Sequence, residues 1–403
     1  MKLFLKIILL LIIFQSNSYS LNFYKYPQKN LGGDFCKKLY ENLNEPNFPY
    51  SSEEPIIIKS DLLIEDIHSI NGKDLDFEAS FTLWAHWKDE RVANTLKNMG
   101  SFTSEGKPLY LCDYSPIKII GETRKIFDPV IEFFNRKGKP NFQYGMQDWI
   151  EIFSDGTVQS RLRDKSTFKA NFDFRRFPFD QQTLSFELWS EFPSFMVEIV
   201  PDEPGMSEYK ETLYSFGDQE EGIIIPGWDL VDVSYENYSY VENDGYPYTG
   251  FMVYLDVQRQ SSYYLFKIIL PIIFILAISW SVFWVRGSQL EAKVNVTIVC
   301  LLSLIAYNFI IDEDLPKLAY LTFLDCFILV SYFYTGTATI LCVYSFLRKL
   351  RSGRDLSVVD RYAQFIGPIS YFTILFILFT YFSEWPYSTS SPGGNQVEGL
   401  PPD

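Results

Sequence analysis

The chain has 403 residues, with 50 acidic and 35 basic side chains and a formal net charge of −15 at pH 7. Nucleic-acid binding needs a basic surface, so this charge argues against a nucleic-acid partner. On a membrane protein, the same excess of acid would concentrate cations near the membrane surface.

The first 20 residues have the pattern of a secretory signal peptide. Lys2 and Lys6 precede an apolar run at 7–14, and Ser18-Tyr19-Ser20 supplies the small residues of a cleavage site. A short membrane anchor is the alternative, but this apolar run is too short to cross a bilayer comfortably. We therefore expect the mature chain to begin near Leu21, outside the cytoplasm.

The five cysteines fall into two groups. Cys300, Cys326 and Cys342 lie in apolar segments and are expected to be reduced packing residues. Cys36 and Cys112 lie in the exported part, where a disulfide can form. The sequence does not give the distance between them, so their pairing stays open.

Residues 54–262 predict a series of short β-strands. Aromatic and β-branched residues alternate with polar ones, and turn pairs such as Asn71-Gly72 and Asp155-Gly156 separate the runs. In one predicted strand, Phe77 and Phe81 share a face opposite Thr82. We predict an immunoglobulin-like β-sandwich domain over 21–262, which begins with a short cap containing a helix near 34–44.

Four charge-free runs follow, at 268–285, 294–311, 326–347 and 362–383, and each is long enough to cross a membrane. Basic residues lie in the links after the first and third runs, which places those links in the cytoplasm. We predict a four-helix transmembrane pore domain over 263–385 and a disordered tail over 386–403. The protein would be a multi-pass protein of the cell (inner) membrane, with its N-terminal domain extracellular or periplasmic.

The second run carries an apolar stripe with one carboxylate at each end. Successive steps of four or three residues place its members near one face of a helix about 33 Å long. They are Glu291, Asn295, Val299, Leu302, Ala306, Phe309 and Glu313. This pattern suits a pore lining. A spanning helix whose terminal acids lie among lipid headgroups is the alternative.

Several motifs in this order resemble those of the pentameric ligand-gated ion channels, the Cys-loop receptor superfamily. Phe177-Pro178-Phe179-Asp180 resembles the signature loop, a tight turn in which proline fixes φ. Leu301-Leu302-Ser303-Leu304 resembles the middle of the pore helix, and Leu315-Pro316-Lys317 the turn after it. Ala170 and Leu184 occupy the places of the loop's two cysteines, and the link after the third span is short. Both departures point to the prokaryotic branch.

The resemblance implies a homopentamer in which the second membrane helix of each subunit faces a central axis. Glu291 would then form an anionic ring at the cytoplasmic end, and Glu313 an outer ring, as in cation channels. Leu302, between Val299 and Ala306, would form the hydrophobic constriction. Lys293 should face away from the axis, because facing inward it would offset the inner ring.

The resemblance also implies a coupling interface beneath the β domain. Arg259 would pair with Asp180 of the signature loop, and the turn containing Asn71 and Lys73 would meet Leu315 and Pro316. A static salt bridge between the two domains is the alternative to a moving gate element.

In this family the agonist site lies between subunits and holds a cationic amine against aromatic rings. The corresponding positions are Phe134, Trp189, Glu191, Phe192, Tyr246 and Tyr248, and Glu191 stands where many relatives have an aromatic residue. On the opposite face Thr82 replaces an expected aromatic, although Trp84 points the same way. A carboxylate among these aromatics favours an amine agonist. The same aromatics could instead be ordinary sandwich filling.

Three other functions are alternatives. Protons are the rival agonist, although Leu304 stands where acid-gated bacterial members carry a histidine. An enzyme finds little support, since the sequence contains no Gly-x-Ser-x-Gly, His-Glu-x-x-His or Gly-x-Gly-x-x-Gly motif. A membrane-anchored β-sandwich sensor or adhesion protein would need one span and leaves the other helices unexplained. We predict a ligand-gated channel that is embedded in membrane lipid, conducts monovalent cations and requires no cofactor or metal.

Overall fold

The computed structural model describes residues 33–43, 54–100, 103–104, 107–108, 110–114, 126–127, 129–138, 149–203, 205–207, 223–242, 245–285, 290–311, 315–352 and 357–384. The predicted signal peptide, Glu313 and the predicted tail at 386–403 lie outside these residues. The side chains of Cys36, Cys112 and Phe309 are also outside the description.

Two sheets make up the N-terminal β domain, and they confirm the predicted sandwich-like fold. The first has the strand order β11-β1-β2-β9-β8-β5, with β7 also paired to β9, and the second has the order β12-β13-β10-β6. A small separate sheet contains β3 and β4. The strands are β1 Ile56–Asn71, β2 Asp76–Lys88, β3 Thr103–Ser104, β4 Lys107–Pro108, β5 Tyr110–Tyr114, β6 Ile131–Phe133, β7 Arg136–Lys137, β8 Trp149–Phe153, β9 Thr157–Lys169, β10 Gln181–Ser190, β11 Val197–Pro201, β12 Trp228–Val241 and β13 Pro247–Arg259.

Alternation of side chains along the strands explains where the core forms. In β2, Phe77 and Phe81 are fully buried, as the two-residue period predicts. Phe77 packs against Phe168 of β9 in the same sheet and against Phe186 of β10 in the other, at ring-centroid distances of 5.3 and 5.2 Å. The core therefore lies between the two sheets.

Among the described residues, the helices include two short ones in the β domain and four long ones after it. They are α1 Gly33–Asn42, α2 Glu90–Met99, α3 Ser262–Trp284, α4 Leu290–Ile311, α5 Phe323–Ser352 and α6 Ser357–Ser383. Helix α1 confirms the predicted cap helix. Among the described residues, α3 to α6 each contain a segment long and apolar enough to cross a membrane, which confirms the predicted spans.

Helix α3 is not a uniform α-helix. A π-helical turn, Leu265–Ile269, lies just before Pro271. Proline lacks the N–H that would bond back to the preceding turn, and a local π-turn is one way in which membrane helices accommodate that loss. Helix α3 therefore begins just after Gln260 and Ser261, which follow β13, and passes Pro271 without a break.

Candidate functional site

Helix α4 turns one face away from the rest of its own subunit. Val299 and Leu302 are 61% and 60% exposed, and Glu291, Asn295 and Ala306 are exposed as well. At 100° per residue these five positions lie within one quarter of the helix circumference. The described part of the predicted stripe is thus a free surface in the single subunit, with Glu291 in the first turn of α4.

The opposite face of α4 packs into the helix bundle. Its buried side chains are Lys293, Thr297, Cys300 and Leu304. The hydroxyl of Tyr332 on α5 donates a hydrogen bond to the Leu304 carbonyl at 3.2 Å, which ties α5 to this face. Lys293 is 5% exposed and lies about 200° around the helix from Glu291. Its charge therefore lies on the bundle side of α4, and Glu291 lies on the free side.

Arg259, the last residue of β13, binds Asp180, which immediately precedes β10. Its Nε and Nη2 atoms lie 2.7 and 3.0 Å from the two carboxylate oxygens, a bidentate arrangement. The side chains of Asp180 and Arg259 are 1% and 13% exposed. Gln182 donates a further hydrogen bond to the carboxylate at 2.6 Å. Removing one partner of such a buried pair leaves the other charge without compensation.

Aromatic rings enclose the guanidinium of Arg259. Its carbon Cζ lies 4.1 Å from the ring centroid of Trp228 and 4.9 Å from that of Phe177. Cation–π contacts of this kind add to the ion pair where water is excluded. The ion pair therefore connects the signature loop, β10, β12 and β13 at the end of the β domain nearest the membrane helices.

The signature loop also contacts the membrane helices. The backbone N–H of Phe323, at the start of α5, donates to the Arg175 carbonyl at 2.8 Å. The ring of Phe179 lies 5.7 Å from Phe323 and 6.0 Å from Phe379 of α6. The loop therefore packs against both α5 and α6.

The turn after β1 is stabilised within the β domain. The side-chain oxygen of Asn71 accepts hydrogen bonds from the backbone N–H groups of Lys73 and Asp74, both at 3.1 Å. Leu315 is 9% exposed and packs into the hydrophobic core, and Pro316 follows it. Among the described residues, the side-chain hydrogen bonds of this turn do not connect it to Leu315 or Pro316.

An aromatic cluster occupies the upper outer face of the second sheet. It contains Phe134, Trp189, Tyr238, Tyr240 and Tyr248. Trp189 lies 5.9 Å from Phe134, 5.8 Å from Tyr240 and 6.1 Å from Tyr248, measured between ring centroids. Tyr240 stacks on both Tyr238 and Tyr248. Phe134 is 65% exposed, so the cluster is open to solvent.

Two residues make this arrangement possible. The side-chain amide of Asn135 donates to the Ser185 carbonyl at 2.7 Å, which fixes Phe134 beside β10. Gly250 gives the ring of Tyr238 room, since a Cβ there would lie 2.9 Å from that ring and 2.1 Å from the Leu188 carbonyl oxygen. The cluster is thus held by β6, β10, β12 and β13 together.

The other predicted agonist residues have different surroundings. Tyr246 is 50% exposed and its ring lies 5.6 Å from Phe195. Phe192 lies 5.7 Å from Phe127. Glu191 is exposed just after β10, and Trp84 belongs to β2 of the first sheet. The structure thus brings Phe134, Trp189 and Tyr248 into one cluster and places Trp84 outside it.

Sequence reasoning did not identify several residues at the domain junction. The hydroxyl of Tyr320 accepts a hydrogen bond from the backbone N–H of Phe174, and its ring lies 4.7 Å from the Arg175 guanidinium. Trp228 lies over Arg259. No local pattern distinguishes these aromatics from ordinary core residues, because each contact joins distant parts of the chain.

Within the described residues, no group of three or more His, Cys, Asp or Glu could hold a metal ion.

Comparison with known proteins agrees with this architecture. Residues 29–261 match the model of the neurotransmitter-gated ion-channel ligand binding domain. The chain is similar to a proton-gated ion channel of Gloeobacter violaceus, with 26% identity over 299 residues, which cover 72% of this chain and 73% of that protein. It is also similar to the human gamma-aminobutyric acid receptor subunit rho-3, with 25% identity over 279 residues, or 69% of this chain and 55% of that subunit. The rat rho-2 subunit is 21% identical over 304 residues, 75% of this chain and 61% of that subunit.

Proposed function

This chain belongs to the neurotransmitter-gated ion-channel family, as a prokaryotic-type pentameric ligand-gated channel rather than an enzyme, and we propose that it forms a homopentameric, cation-selective channel opened by a small cationic ligand. The free face of α4 carries this proposal. It has one carboxylate in its first turn and apolar side chains above it, and nothing within the subunit covers it among the described residues.

Charge at the cytoplasmic end of the pore sets the proposed ion preference. Glu291 would contribute one carboxylate per subunit to a ring that attracts cations and repels anions. The burial of Lys293 on the far side of α4 supports this assignment, because an inward lysine beside the ring would offset it. Monovalent cations are the proposed cargo.

The aromatic cluster is the proposed principal half of the agonist site. Stacked tyrosines and Trp189 offer π faces to a cationic amine, and exposed Glu191 lies two residues beyond Trp189. Tyr246 and Phe192 would border this half, and Trp84 would belong to the opposing surface of the next subunit. The exposure of Phe134 supports a site completed by a neighbour.

Truncating Phe134 or Tyr246 to alanine should reduce sensitivity to an amine agonist. Loss of one cation–π partner of about 1–2 kcal/mol corresponds to about a fivefold to thirtyfold higher half-maximal concentration. The measurement is a dose–response curve with single-channel conductance recorded in parallel, which should not change. Val231→Ala, at the lower end of β12, is the matched control. Unchanged sensitivity in both truncations would remove the cluster from the agonist site.

Replacing Leu302 with serine should make the channel open more easily. In the proposed pore, the Leu302 side chains of the five subunits would together form an apolar constriction that excludes water. A serine hydroxyl from each subunit would let water enter. Even 1.4 kcal/mol gained by the open state would lower the half-maximal agonist concentration about tenfold. Ile369→Ser, at an exposed position of α6, controls for adding a hydroxyl to a membrane helix. An unaltered dose response in Leu302→Ser would place the gate elsewhere.

Protons are a second candidate stimulus, because a relative with 26% identity is a proton-gated channel. The β domain and the pore would serve the same purposes in that case, and only the ligand differs. Acidification and amine application therefore have to be compared on the same cells.

Whole-oocyte currents under a NaCl gradient test the proposal. Steps in external pH and perfusion of small amines show which stimulus opens the channel, and surface labelling verifies expression. We expect a current that reverses toward the sodium potential. Reversal toward the chloride potential would overturn the role given to Glu291 and keep the family.

A further inference from the structure

Glu187 lies on the outer face of the second sheet, between the aromatic cluster and the Asp180–Arg259 pair. It precedes Trp189 by two residues on β10 and therefore points to the same face. In the sheet register it stands opposite Met252 of β13, and Met252 in turn stands opposite Glu236 of β12. Glu187 is half-buried, which is unusual for a carboxylate in the middle of a strand.

The groups around Glu187 compensate its charge poorly. The Ser185 hydroxyl donates to it at 3.3 Å, a long hydrogen bond. The Tyr254 hydroxyl on β13 is directed to Glu236 instead, at 3.0 Å. The other titratable side chains on this face are Tyr238, Tyr240 and Asp232 on β12, Asp256 on β13 and Glu132 on β6. Among the described residues, no lysine or arginine forms an ion pair with Glu187.

Burial raises the pKa of Glu187, and the Ser185 hydrogen bond opposes this only in part. Burial is the largest cause that raises the pKa of Tyr238 and of Tyr254; Tyr240 and then Glu187 add to it for Tyr238, and Glu236 adds more than Glu187 does for Tyr254. An ionised carboxylate between two tyrosines and a methionine has lost water without gaining strong donors.

We propose that Glu187 is a proton-binding site that links external acidity to the packing of β10 against β13 and β12. Taking up a proton removes a poorly solvated charge from this face and gives the carboxyl group a hydrogen to donate. The three strands then pack with less electrostatic cost. Glu187 lies along β10 between the aromatic cluster and the Asp180–Arg259 pair. Its protonation therefore changes the strand packing that connects the cluster to the ion pair.

Thermal unfolding of the purified pentamer in nanodiscs tests proton binding without any current. The folded pKa of Glu187 is raised, so the stability gained from this proton is complete below the unfolded pKa and is lost as the pH rises through the folded value. E187Q removes the charge. It should raise the unfolding temperature at pH 7 by about 2 °C and flatten its dependence between about pH 4.5 and pH 7.

E236Q is the matched control, because Glu236 is an exposed glutamate on β12, on the same face and in the same row as Glu187, with Met252 of β13 between them. It should keep the pH dependence of the native protein. Equal flattening in both variants would mean a general effect of acidic surface and would overturn the proposal. A native slope in E187Q would overturn it as well.

The link to gating rests on the proposed channel function, and currents test it separately. In the native channel, acidification from about pH 7.5 to pH 5.5 should shift the half-maximal agonist concentration about threefold or more. E187Q should show at pH 7.5 the sensitivity that the native channel shows at pH 5.5. Normal currents with a native pH shift in E187Q would refute the link. Absence of current from every variant would count against the channel proposal, while the unfolding data would still decide proton binding.

Discussion

Asparagine in place of Asp180 should abolish most agonist-evoked current. The substitution removes the carboxylate charge to which Arg259 makes two hydrogen bonds. The Arg259 side chain, which is 13% exposed, then keeps its positive charge among aromatic rings without a counter-charge. Breaking a buried pair by removing one partner costs about 3–5 kcal/mol. The measurement combines currents with surface labelling of the same cells, because part of this cost can appear as reduced assembly.

A surface ion pair provides the matched control. Lys88 and Asp155 also form a salt bridge, but their side chains are 63% and 34% exposed. Exposed pairs contribute about 0–1 kcal/mol, so Asp155→Asn should leave both expression and current close to native. A loss of current in Asp155→Asn as large as in Asp180→Asn would show that burial of the pair is not the cause.

The double variant Asp180→Asn with Arg259→Gln separates a gate element from a static brace. Replacing both partners leaves no buried charge without its counter-charge, so surface expression should recover relative to Asp180→Asn alone. If the pair moves during gating, current should remain low despite that recovery. Full recovery of current would mean that the pair is only a static brace within the β domain.

Local periodicity explains which parts of this fold the sequence could predict. The two-residue alternation in β2 and the steps of three and four in α4 are short-range patterns, and each places its residues on one face without knowledge of the partner. The buried Phe77 and the exposed Leu302 follow from these patterns alone. Four spans were equally visible, because length and lack of charge are local properties.

Contacts between distant segments could not be predicted in this way. The parallel pairing of β1 with β11 joins Ile56 to Val197, and nothing in either strand specifies the other. The environment of Glu187 depends on Tyr254 and Tyr238, which reach it only through the register of three strands. An alternating strand pattern shows that Glu187 points outward, but not that its neighbours fail to compensate its charge.

Resemblance to a family supplied what periodicity could not. The partnership of Asp180 and Arg259 was expected from the signature loop, and the structure gives it two hydrogen bonds of 2.7 and 3.0 Å. The contacts of Tyr320 and Trp228 at the same junction were missed, since an aromatic residue carries no sign of the cation it will contact. Sequence therefore predicts the ionic partners here better than the rings around them.

Glutamine in place of Glu291 should remove most of the preference for cations. In the proposed pore, each subunit contributes this carboxylate to a ring in the first turn of α4, and no buried partner neutralises it among the described residues. In a NaCl gradient the reversal potential should move from near the sodium potential toward zero. The Debye length is about 8 Å at 0.15 M salt and longer in dilute salt, so the difference between variant and native should grow as ionic strength falls.

Lys293→Gln is the matched control, because it changes a charge two residues away on the opposite side of the helix. Lys293 is 5% exposed and faces the bundle, so its charge lies behind the backbone of α4 as seen from the free face. This variant should retain the native reversal potential even where conductance or expression falls. A shift in Lys293→Gln equal in size to that of Glu291→Gln would mean that both charges act on the permeating ion, and that the burial of Lys293 does not isolate it from the pore.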